Sequence, residues 1–135
     1  MASSKSNIQT GFNYEPLEET LDIKAQGTKL QIGIPKEIAF QENRIALIPD
    51  AINVLVNNGH EVIVEHKAGE GSKYSDKDFS EAGARIVYDR RDIFKAPILV
   101  KSAPIIEEDI PLLQPHQLII SPIHLSALQS TLLEK

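Results

Sequence analysis

Cysteine and tryptophan are both missing from these 135 residues. Without cysteine there are no disulfides, no thiolate nucleophile and no thiolate metal site, and the chain suits a reducing compartment, so the cytoplasm is the expected location. Long apolar runs are missing too. Nothing approaches the roughly 18 residues of a membrane span, and residues 1–10 lack the apolar stretch of a secretory signal, so no membrane partner is expected. Basic residues are outnumbered, 14 Lys and Arg against 19 Asp and Glu, for a formal charge of -5. No basic run is interleaved with aromatics, which argues against a nucleic-acid surface but leaves a small anionic ligand open. His60, His66, His116 and His124 share no helix face, so no metal cluster is expected. No Gly-x-Gly-x-x-Gly stretch occurs, and the chain is not expected to hold a dinucleotide alone.

What is present divides into two parts. Residues 1–29 are polar, carry Ser3, Ser4, Ser6, Pro16 and Gly27, and show no regular period, which predicts a flexible tail with at most a short helix near 17–23. From residue 30 to 135 short aliphatic runs alternate with amphipathic segments, the pattern of an α/β domain with a mostly parallel sheet and helical crossovers, Rossmann-like or flavodoxin-like. Strands are predicted at 30–34, 61–65, 84–87, 98–101 and 118–121.

The helices carry their own punctuation. Pro49 and Asp50 suit a first turn, Ile52, Leu55 and Val56 form one face, and Gly59 stops the helix. Ser75 with Asp78 forms a capping box whose helix Gly83 closes, and Asp89 with Asp92 opens another that Pro97 ends. Over 105–113, Pro111 limits any helix to a turn or two. Ser126 caps a final segment whose Leu128, Leu132 and Leu133 share a face with no terminator behind it, as expected of part of a longer protein.

Ligands of parallel sheets collect outside the carboxyl ends of the strands. Three polar residues after predicted strand ends are therefore the candidates. Arg44, in the loop after the first strand, offers a two-point grip for a carboxylate, or pairs plainly with Glu42. Lys101, closing Ile98-Leu99-Val100-Lys101, can bind an oxyanion or polarise a carbonyl, or be a solvated strand end. His124, after the last strand, can exchange a proton near neutral pH, or be a packed structural histidine. An arginine, a lysine and a histidine on one rim suit a small oxo acid. Gly69-Glu70-Gly71-Ser72 lacks the Lys-Ser or Lys-Thr of a phosphate loop and reads as a turn.

The stretches Ile32-Gly33-Ile34-Pro35-Lys36-Glu37, Glu42-Asn43-Arg44-Ile45-Ala46-Leu47-Ile48-Pro49 and Gly59-His60-Glu61-Val62-Ile63-Val64-Glu65, with Ala68-Gly69-Glu70-Gly71-Ser72, Asp76, Ala82-Gly83-Ala84 and His124-Leu125, resemble the amino-terminal domain of alanine dehydrogenases and nicotinamide nucleotide transhydrogenases. The resemblance implies the substrate-side half of an oligomeric, two-domain NAD- or NADP-dependent enzyme, inactive alone, with the cofactor on a following Rossmann domain absent from this chain. It implies that Arg44 binds the carboxylate of pyruvate and that His124 handles the proton in oxidative deamination of alanine and its reverse.

Two positions depart from that pattern. Alanine dehydrogenases typically read Lys-Val-Lys-Glu-Pro where this chain has Val100-Lys101-Ser102-Ala103-Pro104, so counting back from Pro104 puts Ser102 at the lysine position, and only a gap restores Lys101. A one-residue slip turns a side chain to the other face, so register decides whether Lys101 enters the site. Ile48 stands where the family commonly has a capping threonine. The resemblance also leaves open a transhydrogenase subunit, a dehydrogenase of the lysine pathway, and a non-catalytic module that binds a small carboxylate.

Overall fold

In a computed structural model describing residues 27–122, the five aliphatic runs become strands β1 Gln31–Ile34, β2 Glu61–Glu65, β3 Arg85–Val87, β4 Ile98–Val100 and β5 Leu118–Ile120, each end within one residue of its predicted span. They form a single parallel sheet in the order β3-β2-β1-β4-β5. That is the strand order of a Rossmann domain, with β1 central and the chain reversing direction across it. The predicted tail helix, His124 and the segment that Ser126 was expected to cap lie outside the described residues.

Helices α1 Pro49–Asn57 and α2 Asp76–Glu81 form the crossovers from β1 to β2 and from β2 to β3, and α3 Arg90–Ile93 leads towards β4. Each begins as its sequence predicts. Pro49 occupies the first turn of α1, where an N–H would be unsatisfied anyway. At α2 both halves of the capping box are present: Ser75 N–H donates to Asp78 Oδ2 at 2.7 Å and Ser75 Oγ accepts from Asp78 N–H at 3.3 Å. The Ser75 N–H and hydroxyl hold the Asp78 carboxyl below its ordinary range. Asp89 caps α3 by accepting the Arg91 N–H. Gly59 and Gly83 follow α1 and α2 with φ of 89° and 99°, a left-handed turn that a Cβ would strain.

Alternate residues of the strands feed two cores. Ile34, Val62 and Val64 pack with Ile52 of α1 and Phe79 of α2, while Ile63, Val87 and Leu99 pack with Ile93 and Phe94 of α3 and its exit. Phe79, Phe94, Ile34, Ile52, Ile93 and Leu99 are fully buried. The central strands are apolar on both faces because helices cover both. A 3-10 turn at Ile110–Leu112, opened by Pro111, is all the helix that forms in 105–113.

Ile48 takes the extended N-cap conformation of α1 with no side-chain cap, and its side chain is exposed. A hydroxyl there would reach a free N–H of the first turn at no packing cost. Ile48→Thr is therefore expected to raise stability by about 1 kcal/mol, read as a higher denaturant midpoint at unchanged slope.

Candidate functional site

Because α1 and α2 cover one face and α3 the other, the connections leaving β1 and β4 diverge, and a crevice opens at the carboxyl ends of these two neighbouring strands. Three loops meet there: residues 35–48 after β1, the segment around Gly71 after β2, and residues 101–104 after β4.

The Arg44 loop is held from both sides. Ser72 Oγ donates to the Asn43 carbonyl at 2.7 Å, and Ser102 Oγ donates to the Arg44 carbonyl at 3.0 Å. Gly71 lies so close that a Cβ on it would sit 2.7 Å from the Asn43 oxygen. Two serines from distant loops thus fix consecutive carbonyls of the Glu42-Asn43-Arg44 turn. The Arg44 guanidinium is exposed and grips Glu42, with Nε on Oε1 at 2.9 Å and Nη2 on Oε2 at 2.7 Å. This pairing, helped by the Arg44 N–H, pulls the Glu42 carboxyl down to about 2 and raises the guanidinium. The Nη1 side of the fork has no partner among the described residues.

Lys101 lies elsewhere. Its ammonium is buried, 2.9 Å from Glu37 Oε2 and 3.3 Å from Asp109 Oδ2, with side chains of 2%, 5% and 0% exposure respectively. Arg90, at the start of α3, bridges Asp109 Oδ1 at 2.6 Å and Glu65 Oε2 at 2.8 Å, donates to the Lys36 carbonyl, and lies 5.1 Å from the Phe94 ring centre. Glu65 in turn accepts the Lys36 N–H at 2.7 Å, and Glu37 Oε1 accepts the Ser102 N–H at 2.7 Å and the Ala103 N–H at 3.3 Å. Three carboxylates and two cations form a continuous buried network. Asp109 Oδ2 is oriented for the ion contact alone and accepts no hydrogen bond.

Above this network a cavity of about 230 Å³ is lined by Lys36, Glu37, Glu42, Arg44, Lys67 and Glu70 among others. Of the sequence candidates it takes in Arg44; Lys101 lies beneath its floor. Lys36 was not singled out beforehand, although it stands two residues past the end of β1, where the rule that picked Arg44 and Lys101 applies equally. A second cavity, beyond the Lys67 and Glu70 pair, is lined by His66 and Asp76. Asp76 takes both the His66 Nδ1 contact and the Lys67 N–H, which ties the end of β2 to α2.

The described residues do not fit a dinucleotide. The loop after β1, where a pyrophosphate would lie, contains no glycine across residues 35–48, and α1 opens with proline in place of an N–H donor.

Strand order and crevice define a doubly wound α/β domain, built on a Rossmann-type sheet without its nucleotide cradle. Residues 33–135 match the family described as alanine dehydrogenase/PNT, N-terminal domain, and the chain belongs to that family. It is 39% identical over 95 residues to an alanine dehydrogenase of Staphylococcus saprophyticus, covering 70% of this chain and 26% of that protein. A solved L-alanine dehydrogenase superposes with a TM-score of 0.71 at 36% identity, over 74% of this chain and 28% of the other. A transhydrogenase from Sinorhizobium meliloti gives 0.65 at 27% identity, over 69% and 28%. The chain thus spans about a quarter of the length of these relatives.

Two outcomes are expected. Asp109→Ala leaves Lys101 and Arg90 each short of a buried partner and should cost about 3–5 kcal/mol in denaturant unfolding. Glu42 should titrate near 2 by carboxyl carbon NMR and return towards 4.5 in Arg44→Met. Since its folded value is depressed, the stability it adds is present above about pH 4.5 and is lost as the pH falls through 2.

Proposed function

We propose that this chain is the substrate-binding part of a nicotinamide-dependent amino-acid dehydrogenase of the alanine dehydrogenase type, and that its ligand is a small 2-oxo acid such as pyruvate or the matching amino acid. The observation that carries the reading is an arginine whose Nη1 has no partner among the described residues and which lines, with Lys36, a cavity on the carboxyl-end crevice. The cavity has the volume of roughly eight waters of the liquid, enough for an acid of a few carbons.

In this reading Arg44 anchors the substrate carboxylate, while Glu42 holds the guanidinium plane by its Nε side. His124 is the proton donor and acceptor at the substrate oxygen or nitrogen. NAD or NADP belongs to a following dinucleotide-binding domain, and no step of its chemistry is assigned to these residues. The similarity to a transhydrogenase, together with Ser102-Ala103-Pro104, supports a transhydrogenase-type subunit as the second reading.

Arg44→Met should weaken pyruvate binding by about 10- to 100-fold, the range of a lost charge-assisted hydrogen bond. Arg44→Lys should restore little, because an ammonium cannot reproduce the fork. Unchanged binding in an NMR titration of Arg44→Met would remove the proposal.

A further inference from the structure

We infer that Lys36, and not Lys101, is the lysine that touches the ligand, holding the 2-oxo oxygen while Arg44 holds the carboxylate. The inference deepens the proposed function and rests on it. It starts from an inventory of the ammonium groups around the crevice. Lys101 has two buried carboxylate partners and 2% of its side chain exposed, so its charge is already matched within the protein, and it does not line the cavity. Lys67 lines the cavity but faces Glu70 at 3.8 Å. Lys36 lines the cavity beside Arg44, and no carboxylate among the described residues lies within ion-pair distance of its ammonium.

The backbone of Lys36 is fixed at both ends. Its N–H donates to Glu65 Oε2 at 2.7 Å and its carbonyl accepts from Arg90 Nη1 at 2.8 Å. Both partners are part of the buried network, and Glu65 and Arg90 also bond each other at 2.8 Å. A cation whose main chain is clamped and whose head is unpaired is preorganised to meet a partner brought by the ligand. The next residue, Glu37, borders the same cavity, but its carboxylate is taken up by Lys101 and by the Ser102 and Ala103 N–H groups. Adjacent residues after β1 thus divide the work, the Glu37 carboxylate joining the buried charges while the Lys36 ammonium has no ion-pair partner among the described residues.

Pyruvate and propionate separate the roles, since they share a carboxylate and differ in the oxo group. In NMR titrations of the 135-residue chain, the wild type should bind pyruvate more tightly than propionate. Lys36→Met and Lys36→Gln should each lower pyruvate affinity about tenfold or more, leave propionate affinity unchanged and so abolish the preference, with Lys67→Met keeping it. A preference that survives both Lys36 variants overturns the inference, as does a preference lost in Lys67→Met and kept in the Lys36 variants. Equal wild-type affinity for the two acids also overturns it but leaves the Arg44 reading standing, whereas binding of neither acid removes both.

Discussion

The charge network under the crevice is the constraint on which the rest depends. Glu37 follows β1, Glu65 ends β2, Lys101 follows β4, Arg90 begins α3, and Asp109 precedes the 3-10 turn, so five separate segments meet through side chains that are buried or nearly so. Burying such charges is costly unless every one is paired, and the pairing is satisfied only when all five segments are in place. The arrangement therefore makes the carboxyl ends of the sheet rigid as a unit. Apolar packing on the two faces supplies the bulk of the driving force, while the charges specify how the loops close.

From that floor the site is built in two further steps. Glu37 fixes the turn at Ser102 and Ala103, and Ser102 then holds the Arg44 carbonyl. Ser72 and the bare backbone of Gly71 hold the neighbouring Asn43 from the other side. The exposed guanidinium consequently stands on a turn whose position is set by three loops, although among the described residues its own hydrogen bonds go to Glu42. Ser102 also gains a role of its own, as a hydroxyl that bonds the Arg44 loop.

Features set by near neighbours in the chain were legible in the sequence. The strands, the capping box of Ser75 and Asp78, the Asp89 cap and the glycine stops each follow from local pattern, and the pairing of Arg44 with Glu42 was foreseen as the plainer alternative. Lys101 was harder, because its partner Glu37 lies 64 residues away, and no local signal separates a buried lysine at a strand end from a solvated one. The solvated strand end, one of its two anticipated states, does not describe an ammonium enclosed by carboxylates. Lys36 is hidden for a different reason: within Pro35-Lys36-Glu37 it reads as one motif with Glu37, and only the fold shows that Lys101 takes up Glu37. The choice between Rossmann and flavodoxin strand orders likewise depends on which strands pair, which alternation alone does not reveal.

The central claim is a division of the rim into a buried ionic floor containing Lys101 and an open pair of cations, Lys36 and Arg44, facing the ligand. Amine acetylation of the native chain followed by mass spectrometry tests it most directly, with and without pyruvate. The account predicts that Lys101 stays unmodified until the protein unfolds, while Lys36 is acetylated readily and is shielded by pyruvate. Rapid acetylation of Lys101 in the native chain, suppressed by pyruvate, would contradict it.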